Sequence, residues 1–281
     1  MRSKGVIGRL AQRLWSGRGG NFGVVTSFLF KAHPVSTVFA GPIFWEAKHA
    51  AEVMRAYRDF LPTAPQELGI FVGLKGVPSS DPFPSEHWGK KACAVVACYN
   101  GPMADGQAAL APLLDNLPEP LFNWMGEMPF PALQGMFDPL LPSGLQWYWK
   151  GDFVTDLPDA AIEAHVAQAA KAPSDLSLMH LYPVNGAVHR VGADDTAWGA
   201  RSATWSMVIA GIDPDPGKAP ALRKWAREYW EAVHPFNGEG GYVNFLMDDE
   251  GEARLRASYG ANYDRLARIK ARYDPANLFR V

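Results

Sequence analysis

Apolar and polar positions along the chain fall into two kinds of window. Short runs of β-branched, aromatic and small apolar residues, bounded by turn formers, predict strands at "TVFAGPIFW" (37–45), "QELGIFVGLKG" (66–76), "KACAVVACYNG" (91–101) and "ATWSMVIAGI" (203–212). "LQWYWKGDFV" (145–154) and "LSLMHLYPVNG" (176–186) read the same way. Strands are also predicted at "GVVTSFLFKAHPV" (23–35), stopped by Pro34, at "GAVHRV" (186–191) and at "GYVNFLMD" (241–248).

Other windows have helical character. In "EAKHAAEVMRAYRDFL" (46–61), Ala50, Val53, Met54, Tyr57, Phe60 and Leu61 share one face. "ADGQAALAPLLDNL" (104–117) predicts a short helix weakened by Pro112, and "LPDAAIEAHVAQAAK" (157–171) a helix with Pro158 near its first turn. Helices are also predicted at "APALRKWAREYWEAV" (219–233) and, as one long terminal element, at "EARLRASYGANYDRLARIKARY" (252–273). Six prolines between Pro118 and Pro142 predict ordered loop there. The elements follow one another as β-β-α or β-α, with no regular βαβ alternation. This predicts an α+β fold: a large antiparallel sheet covered by helices on one face.

Composition narrows the class. The 281 residues are 48% hydrophobic and 20% charged, enough for one large or two small globular domains. The net charge of −2 argues against a nucleic-acid binder. No apolar run approaches the roughly 20 residues of a membrane helix. Ten tryptophans and fifteen phenylalanines suit either core packing or a large flat apolar ligand. Cys93 and Cys98 lie five apart in one strand and point to opposite faces, so they do not pair there, and no zinc or redox spacing is present. A cytoplasmic location is expected. The first 18 residues hold five basic residues and no acid; a transit peptide and a start that is not the natural beginning of the fold both remain open, and a secretory signal does not, for want of an apolar stretch.

Candidate chemistry concentrates at the two ends. In "GRGGNFGVVTSF" (17–28), Gly17 and Gly19 open a dinucleotide-like pattern, but position 22 is Phe22 and an apolar β-branched run follows, so a Rossmann turn is excluded. A glycine turn that admits a ligand to the backbone and a plain tight turn both remain open. The seven histidines show no metalloprotease spacing; His180 and His189 lie in neighbouring strand-like segments, and a shared cavity and separate structural roles both remain open. No Gly-x-Ser-x-Gly elbow is present. In "YVNF" a strand puts Tyr242 and Asn244 on one face, where a phenol and an amide suit hydrogen bonding to a polar ring edge, and Val243 and Phe245 on the other. "DPANLF" is a proline-guided turn that either folds Asn277 inward or uses it to cap the helix end.

Taken together, "GGNFGVVTSF", "GGYVNF" and "YGANYDRLARIKARYDPANLFR" resemble the berberine bridge enzyme-like FAD-linked oxidases, within the vanillyl-alcohol oxidase type of flavoprotein. The resemblance implies a substrate-binding domain over residues 33–240. Remnants of an FAD-binding domain flank it: residues 1–32, with an atypical N-terminus, and 241–281, returning to that domain. It implies hydride transfer from an alcohol, sugar or carbon–nitrogen centre to FAD. Gly20, Asn21, Phe22, Gly23 and Val24 would contact FAD, and Asn277 would reach its ring. Tyr242 would be catalytic, with Asn244, Trp147 and Trp149 on the substrate side. The family's phosphate loop and its flavin-linked histidine and cysteine have no counterpart here, so a truncated chain is expected. Three outcomes follow: an oxidase, a non-catalytic module that binds no flavin alone, or half of a split flavoenzyme completed by a partner chain. Exposed apolar surface at 17–32 and 242–281, or self-association that covers it, is expected. Many members carry tyrosine where Phe245 stands, and phenylalanine has no proton to exchange.

Overall fold

A computed structural model describes residues 20–280 of the protein. Gly17, Gly19 and the basic N-terminal segment lie outside the described residues.

Eight strands form one sheet: β1 (Thr37–Glu46), β2 (Leu68–Gly76), β3 (Lys91–Tyr99), β4 (Phe122–Asn123), β5 (Gly126–Pro129), β6 (Gln146–Val154), β7 (Leu178–Pro183) and β8 (Trp205–Asp213). Their order is β4-β1-β3-β2-β7-β8-β6, with β5 beside β4 on β1, and every pairing is antiparallel. Among the described residues seven helices accompany it: α1 (Ala50–Phe60), α2 (Gly106–Leu114), α3 (Phe130–Gly135), α4 (Asp159–Ala169), α5 (Ala219–Val233), α6 (Glu252–Tyr259) and α7 (Tyr263–Tyr273). This is the α+β architecture that the patterning predicts.

The main core lies between one face of the sheet and α1, α2, α4 and α5. Helix α1 buries Ala50, Val53, Met54, Tyr57 and Phe60, the face read from the 3.6 period. These meet Ile43, Ile70, Val72, Val95, Met179, Leu181, Met207 and Ile209 from alternate positions of five strands. Each large apolar side chain so buried contributes about 1.5–3 kcal/mol. Helix α5 adds Leu222, Trp225, Ala226, Tyr229 and Val233. Two polar groups inside are satisfied: the Trp205 indole donates to Tyr57 Oη at 3.2 Å, and Tyr229 Oη lies 3.0 Å from His165 Nδ1. Cys93 and Cys98 are free and sit in different clusters on the two faces, as the strand geometry requires.

Five local expectations are corrected. Residues 23–36 form no strand: Val24 and Leu29 are 81% and 97% exposed. A strand needs a ladder partner for its backbone groups. Here β1's outer edge is taken by β4 and β5, and β6's by residues 238–240, through Phe153 N–H to Gly240 O at 2.8 Å and Gly238 N–H to Phe153 O at 2.9 Å. Residues 186–191 form a 3₁₀ turn, Gly186–Val188, instead of a strand. Residues 243–245 likewise form a 3₁₀ turn, described below. The terminal helix is two helices, parted at Gly260, whose φ of +52° glycine adopts without strain. Finally, the proline-rich stretch contains β4, β5 and α3, with Pro129 and Pro131 at the start of α3, where proline's fixed φ suits a first turn. Among the described residues no helix is long and apolar enough to cross a membrane.

Candidate active site over the open face of the sheet

The face of the sheet opposite α1 and α5 carries a cavity of about 670 Å³. Its floor follows from register. Cross-strand rows run Val96–Phe71–Tyr182, Ala94–Gly73–His180 and Ala92–Lys75–Leu178 across β3, β2 and β7. Small residues in two rows lower the floor between Phe71 and the surrounding loops. Its walls come from Pro78, Ser79 and Phe83, from Phe137, Leu140 and Leu141, from residues 173–176, and from Asp213, Pro214 and Lys218.

Three titratable groups stand in this floor. Burial brings the Lys75 ammonium down to about 8. Burial, with the charge of Lys75 beside it, brings His180 down to about 3, so its imidazole is neutral. Burial pushes the Tyr182 phenol up to about 12, and its Oη lies 2.6 Å from His180 Nδ1. Gly73 makes room for this pair: a Cβ there would stand 2.5 Å from His180 Cδ2. Phe71 packs on both partners, with ring centroids 5.1 Å from His180 and 5.0 Å from Tyr182.

The C-terminal segment reaches this face by crossing β6. Gly241 is the crossing point: a Cβ there would meet Gly151 O at 2.7 Å. The backbone then turns, with Phe245 N–H donating to Tyr242 O at 2.7 Å. A turn, not a strand, is therefore what brings Tyr242 and Asn244 together, and Asn244 Nδ2 donates to Tyr242 Oη at 2.6 Å. Phe245 lies between the rings of Tyr242 and Tyr182, edge-to-face with the first at 5.3 Å and tilted to the second at 6.1 Å, linking Tyr242 to the cavity floor.

A fully buried carboxylate anchors this crossing from the helix side. Asp152 of β6 accepts from His234 Nδ1 at 3.0 Å, Asn237 Nδ2 at 2.9 Å and Arg254 Nη2 at 2.6 Å. Arg254 also pairs with Glu250 at 2.8 Å and lies over the Trp230 ring. Two members of the acidic run are thus engaged structurally, Glu250 with Arg254 and Asp249 with Arg223 at 3.2 Å and with Arg227.

The two ends of the chain meet. Phe22 and Val243 pack together with Tyr263 and Ile269 against Ala197, Tyr259 and Leu266. Lys270 Nζ donates to Asn21 O at 2.6 Å and also to Asp274 and Phe279 O. The Asp274 carboxylate accepts from the N–H groups of Leu278 and Phe279 at 2.8 and 2.9 Å. Lys270 first, then these amides, hold its carboxyl down at about 2. Asn277 occupies the turn so formed, exposed and in the left-handed region at φ +49°.

Thus Asn21 and Phe22 adjoin the turn that carries Asn277, with Gly20, Gly23 and Val24 in the same loop, while Tyr242 and Asn244 form a bonded pair. Trp147 and Trp149 stand apart from both. They pack edge-to-face at 5.8 Å on the outermost strand; Trp149 joins Leu145, Leu176 and Leu178, and Trp147 borders a separate shallow hollow with Arg223. His189 is also separate from His180, with Nε2 3.1 Å from Ala203 O beside a different hollow. Sequence reading passed over Lys75 and Tyr182. Their signals were a lone cation in the apolar strand "LGIFVGLKG", two residues from Gly73, and the spacing of His180 and Tyr182, which puts both on one face.

Residues 241–281 match the family model for the berberine and berberine-like segment. The chain is 25% identical over 268 residues to an FAD-linked oxidoreductase of Dictyostelium discoideum, covering 94% of this chain and 55% of the relative. It is 28% identical over 270 residues to the uncharacterised FAD-linked oxidoreductase YgaK of Bacillus subtilis, covering 94% and 56%. Its fold superimposes on berberine bridge enzyme from Eschscholzia californica, with a TM-score of 0.70, 18% identity, and coverage of 88% of this chain and 54% of that one. It superimposes similarly on the berberine bridge enzyme-like 1 protein of Physcomitrella patens, with a TM-score of 0.71, 17% identity and coverage of 88% and 52%. The chain matches the C-terminal portion of the berberine bridge enzyme-like FAD-linked oxidases. It spans about half the length of the curated relatives it matches. Those relatives are named as FAD-linked, so FAD is the cofactor that the resemblance assigns.

Proposed function

We propose that this chain supplies the substrate-binding side of an FAD-dependent oxidoreductase that oxidises an alcohol, sugar or carbon–nitrogen centre. One observation carries the reading. The 20–24 loop and the 274–279 turn, which hold the flavin-side signature, are tied together through Lys270, while the same cluster that holds Phe22 includes Val243, whose neighbour Phe245 meets Tyr182 of the substrate-sized cavity. Cavities of this volume and apolar character are typical of small-molecule sites.

The residues present fit one edge of a flavin. Asn277 presents its amide at the surface from a turn fixed by Asp274, and the neighbouring Asn21–Phe22 loop is fixed by Lys270. Gly20, Asn21, Phe22, Gly23, Val24 and Asn277 would hold that edge. Bound FAD supplies the hydride acceptor. The rest is done by side chains: the cavity walls exclude water from the substrate, neutral His180 offers hydrogen bonds without charge, and Tyr242, oriented by Asn244, would relay the substrate proton, accepting it at Oη as its own hydroxyl proton passes to solvent. Domain boundaries near residues 32 and 240 belong to the same reading.

A second reading concerns how the flavin site is completed. Val24, Leu29, Phe30 and Leu278 are 81%, 97%, 79% and 75% exposed. Apolar surface of this kind suits a covering polypeptide, from a partner chain or a second copy. Titration of the purified chain with FAD, followed by visible absorbance after gel filtration, tests both. Retained flavin that is lost on Asn277→Ala supports the first reading for the chain alone. A monomeric, colourless chain at saturating FAD overturns flavin binding by the isolated chain; self-association supports the second.

A further inference from the structure

We infer that the cavity over the open face selects an apolar, ring-containing substrate bearing one carboxylate, and that Lys75 is the residue that recognises the carboxylate. The inference names the substrate class of the function proposed above and rests on that reading only in calling the bound molecule a substrate.

Charge balance carries it. Two acids border the cavity, and each has its own cation. Asp213 lies 2.8 Å from Lys218 Nζ; burial works to raise its carboxyl, but hydrogen bonds from Lys218, the Asp215 amide and Ser174 outweigh it and hold it low. Asp175 lies 3.6 Å from Lys91 Nζ. Lys75 is the charge left over. It is partly buried in the floor, and among the described residues no hydrogen bond or ion pair engages its ammonium. Nothing else facing the cavity neutralises it: His180 is uncharged and the Tyr182 phenol keeps its proton. An ammonium partly desolvated in a cavity lined by Phe44, Phe71, Phe83 and Leu178 is stabilised when an anion joins it.

The surroundings define the rest of the ligand. The walls are aromatic and aliphatic, and the floor near Lys75 is low because Ala94 and Gly73 are small. A planar hydrophobic body lies over these rows while its single acid group reaches Lys75. A dianion, or a sugar with many hydroxyls, would leave polar groups unpaired against Phe71, Val96 and Leu140.

Isothermal titration of the purified 281-residue chain with naphthoate and with its neutral isostere naphthamide tests this without flavin, so a colourless protein still gives an answer. Naphthoate should bind about ten- to hundredfold more tightly than naphthamide. Lys75→Met should abolish that preference while leaving naphthamide affinity within about twofold, and Lys75→Arg should keep it. Because the amine loses its charge near 8, and a bound anion raises that value, the preference should fade as pH climbs above about 8. Equal binding of acid and amide, no binding of either, or a preference that survives in Lys75→Met would overturn the inference.

Discussion

The two faces of the sheet are built on opposite terms. On the covered face apolar side chains interlock with α1, α2, α4 and α5, and polar ones such as Tyr57, Tyr229 and Asp152 are hydrogen-bonded inside, although His165 Nε2 and Trp230 Nε1 are buried without a partner. On the open face the floor has small residues where the covered face has large ones, and Lys75 has no counter-charge. A face optimised for stability closes on itself, whereas a face kept for a ligand leaves space and unmatched charge. Both faces nonetheless desolvate a histidine, His165 beneath the sheet and His180 above it, each brought down to about 3 mainly by burial.

The largest effect should come from the covered face. Asp152→Ala removes the buried acceptor shared by His234, Asn237 and Arg254, leaving these donors unsatisfied and Arg254 paired with Glu250 alone; about 3–5 kcal/mol should be lost in urea unfolding, with faster hydrogen exchange through α6. Leu181→Ala, which opens a cavity in the covered core, should cost about 2–5 kcal/mol and leave ligand binding intact below the unfolding midpoint. If either change proves neutral, the claim that this face supplies the stability fails.

On the open face, Gly73→Ala sets a methyl against His180 and should cost about 1–3 kcal/mol while breaking the His180–Tyr182 hydrogen bond, visible as a shift of the His180 ring nitrogens by NMR. Acid sharpens what the faces share. With folded values near 3 against an ordinary 6.5, the unfolded chain takes up protons that the folded chain refuses, so stability should fall as pH drops from about 6.5 towards 3. Unfolding midpoints measured across that window should decline less steeply in His165→Gln and His180→Gln, compared each with its own neutral-pH value. The smallest effect belongs to the exposed arm: Leu29→Ser should move stability by no more than about 0.5 kcal/mol, a change readily bounded by thermal melts.

The tertiary structure also separates what looked alike in sequence. "GVVTSF" and "ATWSMV" have the same local character, yet only the second becomes a strand. Trp205–Asp213 finds β6 on one side and β7 on the other, while residues 23–36 meet a sheet whose outer edges are occupied. The Tyr242–Asn244 pair was legible as a pair but not as a turn, because the turn is imposed by Gly241 passing against Gly151 on another strand. Trp147 and Trp149 were placed on the substrate side by the resemblance; they lie on the end strand β6, where register sets Trp149 in the row of Ala210, Leu178 and Lys75.

By itself the sequence determined the periodicities, and with them α1, α5, the long strands and the antiparallel α+β class; it also carried the signatures at both ends. These are local properties, set by which residues recur at every second or every third and fourth position. Only the tertiary structure decided which sheet face stays open, which strands find partners, that Lys270 binds residue 21 to residue 279, and that Lys75 shares a cavity with His180 and Tyr182. Those outcomes depend on ladder partners and neighbouring charges scores of residues away in the chain, and no local pattern encodes them.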